Sequence, residues 1–145
     1  MNAEQTPGRP FALVLIAAIY LFSLLLAASN YGSPFPFLGR LYLGGAGEWL
    51  VLADSIICLY SVIGIWKRQS LTLWLLIGYN ILDICNAFTN LALLPVAAYA
   101  QLAGGAIPEA ELRLNTIVAS VLLILLNGYL LRNKRHFNNK SPYLF

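Results

Sequence analysis

Four long runs of apolar residues dominate the chain, and none of them contains Lys, Arg or His. About 20 predominantly apolar residues are needed to span the roughly 30 Å of hydrocarbon in a bilayer. The runs are continuous rather than alternating, which favours membrane-spanning helices and excludes a β-barrel. The pattern therefore predicts four transmembrane helices, over residues 11–28, 48–66, 71–94 and 114–131.

The composition narrows the class of protein in the same direction. Of the 145 residues, 59% are hydrophobic and 10% are charged, whereas a soluble domain has about 25% charged and about 45–50% apolar residues. These values exclude a water-soluble globule, a disordered chain and a coiled-coil rod. We therefore expect an all-α integral membrane protein in which residues 1–145 form a single transmembrane domain.

Lys and Arg are distributed unequally between the two sides of the predicted membrane. Seven of the nine lie in the N-terminal flank (Arg9), the turn 67–70 and the tail 132–145, whereas the loops 29–47 and 95–113 contain two. Cytoplasmic segments carry the excess of basic residues. The distribution predicts an up-down bundle of four helices, with both termini cytoplasmic, in the cell or inner membrane. It also explains the net charge of +3 through topology, so no nucleic-acid partner is expected.

The two predicted outer loops are rich in residues that interrupt helices. Loop 29–47 contains prolines, several aromatic residues and three glycines near its end, so it is not expected to form a long helix. Its aromatic residues suit the headgroup layer, which favours a plain interfacial connector over a lid above the bundle. Loop 95–113 ends with Glu109 and Glu111, whose charges stabilise the N-terminus of the fourth helix.

The third predicted helix carries the clearest polar signal within the membrane. At 100° per residue, five polar side chains share about a third of its surface. Such a face is expected to point into the bundle or towards another subunit, because exposing it to lipid is costly. The five side chains, which we take as candidates for binding a ligand or a proton, are Tyr79, Asn80, Asp83, Asn86 and Asn90.

Asp54 on the second helix completes this candidate site. The short turn makes the second and third helices an antiparallel hairpin, so residues whose numbers sum to 137 lie at the same height. Asp54 and Asp83 satisfy this relation, about 18 Å from the inner boundary. Two carboxylates close together in a low dielectric cannot both stay ionised. They must be protonated and hydrogen-bonded, share one proton, or hold a cation or a ligand amine between them.

The other helices carry weaker polar faces, which also suit ordinary packing in lipid. These faces comprise Gly47, Cys58 and Ser61 beside Asp54 on the second helix, Thr116, Ser120 and Asn127 on the fourth, and Tyr20 and Ser23 on the first. Cys58 and Cys85 have no CxxC spacing and lie about 9 Å apart along the axis, so no disulfide is expected. With one histidine and no phosphate-binding or zinc motif, the chain is predicted to bind no metal and no cofactor.

Three functional hypotheses from different classes are compatible with these features. The first, which we favour, is a non-enzymatic binding or accessory subunit that holds a lipophilic ligand or packs against a membrane protein partner. The second is an oligomeric transporter or channel, coupled to protons or cations through the two aspartates. The third is a membrane-embedded enzyme that uses the aspartates as acid and base on a lipid-like substrate. All three require the lipid bilayer, and the second also requires a homo-oligomer.

Overall fold

A computed structural model of the protein describes residues 10–141 and residue 143. Arg9, which contributes to the predicted orientation, lies outside the described residues, as do residues 142, 144 and 145 of the tail. Within the described part of the chain there are five α-helices, a two-stranded hairpin and one 3₁₀ turn. In chain order they are α1 (Phe11–Ser29), β1 (Phe35–Phe37), β2 (Arg40–Tyr42), α2 (Gly44–Trp66), α3 (Ser70–Leu93), α4 (Val96–Ala103), α5 (Glu109–Arg132) and the 3₁₀ turn Lys134–His136.

Four of the helices, α1, α2, α3 and α5, are long and apolar enough to cross a membrane. This confirms the prediction of a mostly helical, multi-pass membrane protein. Helices α1 and α3 begin and end within one residue of the predicted spans, since α1 ends at Ser29 and α3 covers Ser70–Leu93. The fifth helix, α4, has eight residues and is too short to span.

Helices α2 and α5 begin earlier than the apolar pattern indicated. Helix α2 starts at Gly44 rather than at residue 48, because its glycines allow the preceding chain to pack closely. A Cβ atom at Gly47 would lie 2.7 Å from the carbonyl oxygen of Tyr42. Helix α5 starts at Glu109 rather than at residue 114. Its polar first turn is stabilised by acidic side chains near the helix N-terminus and by an ion pair between Glu109 and Arg113.

Each predicted outer loop contains regular structure that the sequence pattern did not indicate. In loop 29–47, strands β1 and β2 pair antiparallel, with Phe37 opposite Arg40. The two residues between the strands, Leu38 and Gly39, both have positive φ, as in the type I′ turns that suit hairpins. In loop 95–113, the short helix α4 lies between Pro95 and Gly104, and Gly104 ends it in the left-handed conformation.

The hydrophobic core lies where the four long helices meet. Helix α1 packs along α2, and α3 packs along α5. Helix α2 packs closely against α3 at Gly64, where an added Cβ atom would lie 2.7 Å from Cβ of Thr72. Small residues permit such close packing of helices in lipid. The core residues that are less than a tenth exposed are Leu13, Ile16, Ala17, Tyr20, Cys58, Ile65, Leu73, Leu76, Leu130 and Phe137.

The C-terminal segment folds back onto the turn between α2 and α3. Phe137 is buried in the core, and the backbone of Asn139 bonds to Arg68 and Ser70 on either side of Gln69. Gln69 is fully buried, and its side-chain amide donates to the carbonyl oxygen of Tyr143 at 2.6 Å. We refer to this end of the bundle as the turn end, and to the opposite end, which carries β1 and β2, as the hairpin end.

Candidate functional site

The predicted intramembrane site is built around a contact between α2 and α3. The hydroxyl of Tyr79 on α3 donates a short hydrogen bond to the carboxylate of Asp54 on α2. The same hydroxyl lies 3.9 Å from the sulfur of Cys58, one helical turn along α2. The Tyr79 hydroxyl therefore lies between Asp54 and Cys58, two residues on one face of α2. Cys58 and Cys85 are both free thiols.

Asp54 and Asp83 line one small cavity of about 130 Å³. Both carboxylic side chains are half-buried. The Asp83 carboxyl accepts no hydrogen bond from the described residues, and no described basic side chain forms an ion pair with either aspartate. The cavity walls comprise Phe35, Phe37, Leu50, Ala53, Asp54, Ile57, Tyr79, Leu82, Asp83 and Asn86. Two carboxyl groups and aromatic rings thus line one cavity.

The hairpin forms the wall of this cavity at its end of the bundle, through the rings of Phe35 and Phe37. Two asparagines of α3 hold it there. The Asn86 side-chain oxygen accepts the backbone N–H of Leu38 at 2.8 Å, and the Asn90 side-chain oxygen accepts that of Gly39 at 2.7 Å. Asn90 also donates to the Pro36 carbonyl oxygen at 3.2 Å. The hairpin is therefore attached to α3 by side-chain hydrogen bonds.

Asn80 belongs to the same polar face of α3, which we call the polar stripe. Its side chain joins helices outside the cavity. Its side-chain oxygen accepts the hydroxyl proton of Tyr20 on α1 at 2.6 Å, and its amide donates to the side-chain oxygen of Asn127 on α5 at 2.8 Å. Only 1% of Asn80 is exposed. The Tyr20 ring also lies beside the Tyr79 ring, with centroids 6.3 Å apart. Asn80 thus connects three of the four long helices.

The six candidate residues predicted from the sequence consequently divide into two groups. Four of them line the small cavity: Asp54, Tyr79, Asp83 and Asn86. Asn80 and Asn90 lie outside its walls, the first tying helices together and the second holding the hairpin. Sequence reasoning did not select Phe35 and Phe37 as site residues. Their signal was the aromatic content of loop 29–47, which suits an interfacial connector equally well.

A second and larger cavity, of about 460 Å³, lies at the hairpin end between α1, α2 and α4. It shares Asp54 and Phe35 with the small cavity. Its walls comprise Ser23, Leu26, Ala27, Asn30, Ser33, Pro34, Phe35, Pro36, Val51, Asp54, Gln101 and Leu102. Asp54 is the single charged residue in these walls, so this space combines one acid with uncharged polar and apolar groups.

At the hairpin end, a tyrosine in the loop after α1 and a glutamate near the beginning of α2 form a further contact. The Tyr31 hydroxyl donates to the Glu48 carboxylate at 3.2 Å. The negative charge of Glu48, followed by this hydrogen bond, raises the pKa of Tyr31 above its usual value. Both effects favour the protonated hydroxyl. The contact links the end of α1 to the beginning of α2, next to the hairpin.

No known family model matches the chain, and no similar protein is found among curated sequences or solved structures. The chemistry that the molecule can perform therefore follows from the residues that line its cavities. The walls of the small cavity offer two carboxyls, one phenolic hydroxyl already donated to Asp54, one amide and two phenyl rings. Such a set attracts positive charge, and its rings favour a weakly hydrated cation.

Proposed function

We propose that this protein is a non-enzymatic, membrane-embedded binding protein that holds an organic ammonium ion in the cavity between Asp54 and Asp83. The observation that carries the proposal is the meeting of two carboxyls with the rings of Phe35, Phe37 and Tyr79 in one cavity of about 130 Å³. Carboxylates supply Coulomb attraction, and aromatic faces attract quaternary ammonium groups within about 6 Å of the ring centre. A bound monocation also balances one negative charge that the described residues leave without an ion pair.

An organic cation fits these walls better than a metal ion does. Calcium takes 6–8 oxygen ligands, and magnesium requires near-octahedral oxygen coordination. The cavity offers two carboxyls and the Asn86 amide oxygen, and that oxygen already accepts the Leu38 N–H. The described residues contain no group of three or more His, Cys, Asp or Glu side chains that could hold a metal ion. Phenyl rings contribute to binding an ammonium ion but not to coordinating a hard cation.

The proposal includes an orientation in the membrane. We infer an up-down bundle with the turn end on the cytoplasmic side and the hairpin end on the outer side. Support comes from the backbone hydrogen bonds of Asn139 to Arg68 and Ser70, which bring the basic tail and the basic turn to one end. Basic segments collect on the cytoplasmic side. In this orientation the hairpin closes the cavity from the outer face, and both termini are cytoplasmic.

The proposal is tested by titrating the protein in lipid nanodiscs with tetramethylammonium at constant ionic strength, using isothermal calorimetry. We expect saturable binding that Asp83→Asn weakens at least tenfold, since one unit charge about 4 Å away contributes about 4 kcal/mol at an effective dielectric constant of 20. Glu111→Gln is the matched control, because it removes an exposed carboxylate at the start of α5. Its affinity should equal that of the wild type.

A second variant tests the contribution of the rings. Phe37→Leu keeps the wall apolar but removes a π face, and we expect it to weaken tetramethylammonium binding about two- to fivefold, as the loss of about 0.5–1 kcal/mol implies. Sodium and potassium should compete poorly. Lack of saturable binding, or equal affinities in wild type and Asp83→Asn, would contradict the proposal. Competition by sodium at equal concentration would instead indicate an inorganic cation site and would also overturn it.

A further inference from the structure

The larger cavity adjoins the small one and offers a different chemical surface. The two spaces meet at Asp54 and Phe35, which belong to the walls of both. The larger one has a volume of about 460 Å³, within the roughly 300–1,000 Å³ range of small-molecule sites. A tetramethylammonium-sized group needs only the small cavity. The additional space therefore has no role in binding such a head group alone.

We propose that the larger cavity is a second subsite, which binds the uncharged body of a ligand whose ammonium head lies between Asp54 and Asp83. The proposal rests on the proposed function and extends it to the class of ligand: a monocationic organic amine with a compact, partly polar substituent. Asp54, at the junction, is close to both parts of such a molecule. The ligand would therefore cross from the α2–α3 cavity into the space beneath the hairpin.

The walls of the larger cavity indicate the chemistry of that body. Leu26, Ala27, Val51 and Leu102 provide apolar surface from three helices. Ser33 and Gln101, a residue of α4, add polar side chains to the residues that line the cavity. These groups can donate to or accept from an ester, amide or hydroxyl. A second positive charge on the ligand would find no further acid here, because Asp54 is the one charged residue of these walls.

The subsite is tested by comparing two probes that share a trimethylammonium head. Tetramethylammonium carries no body, whereas benzoylcholine adds an ester and a phenyl ring. We expect benzoylcholine to bind the wild type at least tenfold more tightly in nanodiscs. Ala27→Phe places a large ring in the larger cavity and should remove this gain while leaving tetramethylammonium affinity unchanged. Ala28→Phe is the matched control, since Ala28 is the exposed neighbour of the half-buried Ala27.

The outcomes separate failure of the subsite from failure of the proposed function. Suppose that the affinity for tetramethylammonium depends on Asp83, but that benzoylcholine binds no more tightly than tetramethylammonium. The subsite is then refuted and the ammonium site stands. If Ala28→Phe reduces the gain as much as Ala27→Phe does, the body lies elsewhere and the subsite is again refuted. If neither probe binds the wild type, the proposed function fails and the subsite fails with it. Retained tetramethylammonium binding in Ala27→Phe shows that this variant is folded.

Discussion

Replacing Asn80 by leucine removes the polar groups that join α1, α3 and α5 while keeping the number of side-chain heavy atoms. In the native protein Asn80 is 1% exposed. It accepts the Tyr20 hydroxyl proton at 2.6 Å and donates to Asn127 at 2.8 Å. The variant loses both hydrogen bonds and leaves the buried Tyr20 hydroxyl and the half-buried Asn127 amide without their partner. It leaves the walls of the small cavity intact, because Asn80 is not among them.

The size of the effect follows from these two bonds. Hydrogen bonds between transmembrane helices average about 0.6 kcal/mol and reach about 1.7 kcal/mol, so the two together contribute about 1.2 kcal/mol. Leaving a buried polar group without a partner costs about 1–3 kcal/mol in proteins generally. We therefore expect Asn80→Leu to lower the free energy of unfolding by about 1–3 kcal/mol. A double-mutant cycle of Asn80→Leu with Tyr20→Phe should give a coupling energy of about 0.6 kcal/mol or more.

The assay is SDS-induced unfolding in mixed micelles, followed by circular dichroism, with tetramethylammonium binding measured in parallel. Asn115→Leu is the control, because Asn115 is exposed on α5 and its replacement should change stability by no more than about 0.5 kcal/mol. Asp83→Asn should show the reverse pattern: weaker binding without loss of stability, since its carboxyl accepts no hydrogen bond from the described residues. Unchanged stability in Asn80→Leu, or a tenfold loss of its affinity, would refute this division between structural and ligand-binding residues.

Three further predictions concern packing, the hairpin and pH. Gly64→Ala should destabilise the protein by about 1–3 kcal/mol through overpacking. Gly78→Ala should not, because an added Cβ atom there meets nothing within 4 Å. Equal unfolding curves for the two variants would contradict this prediction. Asn90→Ala should speed hydrogen exchange of the hairpin amides measured by mass spectrometry but not that of α5, and unchanged hairpin exchange would show that Asn90 does not hold it. Glu48 raises the pKa of the Tyr31 hydroxyl in the folded protein. The contact should therefore stabilise the fold fully below about pH 10, the pKa of tyrosine in the unfolded chain. This stabilisation should be lost as the pH rises through the higher pKa of Tyr31 in the folded protein. Glu48→Gln should lower that pKa in an NMR titration, and an unchanged value would contradict the assignment.

The long helices could be predicted because bilayer thickness imposes their length. Helix α1 begins just after Pro10 and α3 ends just before Pro95, so the apolar pattern together with these prolines located them. The first turns of α2 and α5 contain glycines and charged residues. Such residues are typical of loops, although here they belong to the helices. The hairpin was not predicted because Leu38 adopts positive φ, a conformation in which leucine is disfavoured. The backbone hydrogen bond from Leu38 to Asn86, 48 residues along the chain, supports it there.

The sequence was sufficient to predict that the residues of the polar stripe share one face of α3. It was not sufficient to predict the role of each side chain. Helical periodicity shows that Asn80, Asp83 and Asn90 point in similar directions, but it does not reveal which neighbour each one meets. Asn80 meets Tyr20, 60 residues earlier in the chain, and Asn90 meets Pro36 and Gly39 of the hairpin. Such partners depend on helix rotation and loop conformation, which are decided by packing across the whole bundle.

The division of the stripe has a mechanical consequence for the site. Asn86 lines the small cavity and also accepts the Leu38 N–H at 2.8 Å, so one side chain contacts both the proposed ligand space and the hairpin that covers it. A ligand group that hydrogen-bonds to Asn86 competes with that backbone N–H. Asn90 retains its own bonds to Gly39 and Pro36, so the competition loosens the hairpin without releasing it. A ligand with an N–H that bonds to the Asn86 oxygen would therefore weaken one of the hydrogen bonds that hold the hairpin, whereas a quaternary ammonium, which has no N–H, would leave them in place.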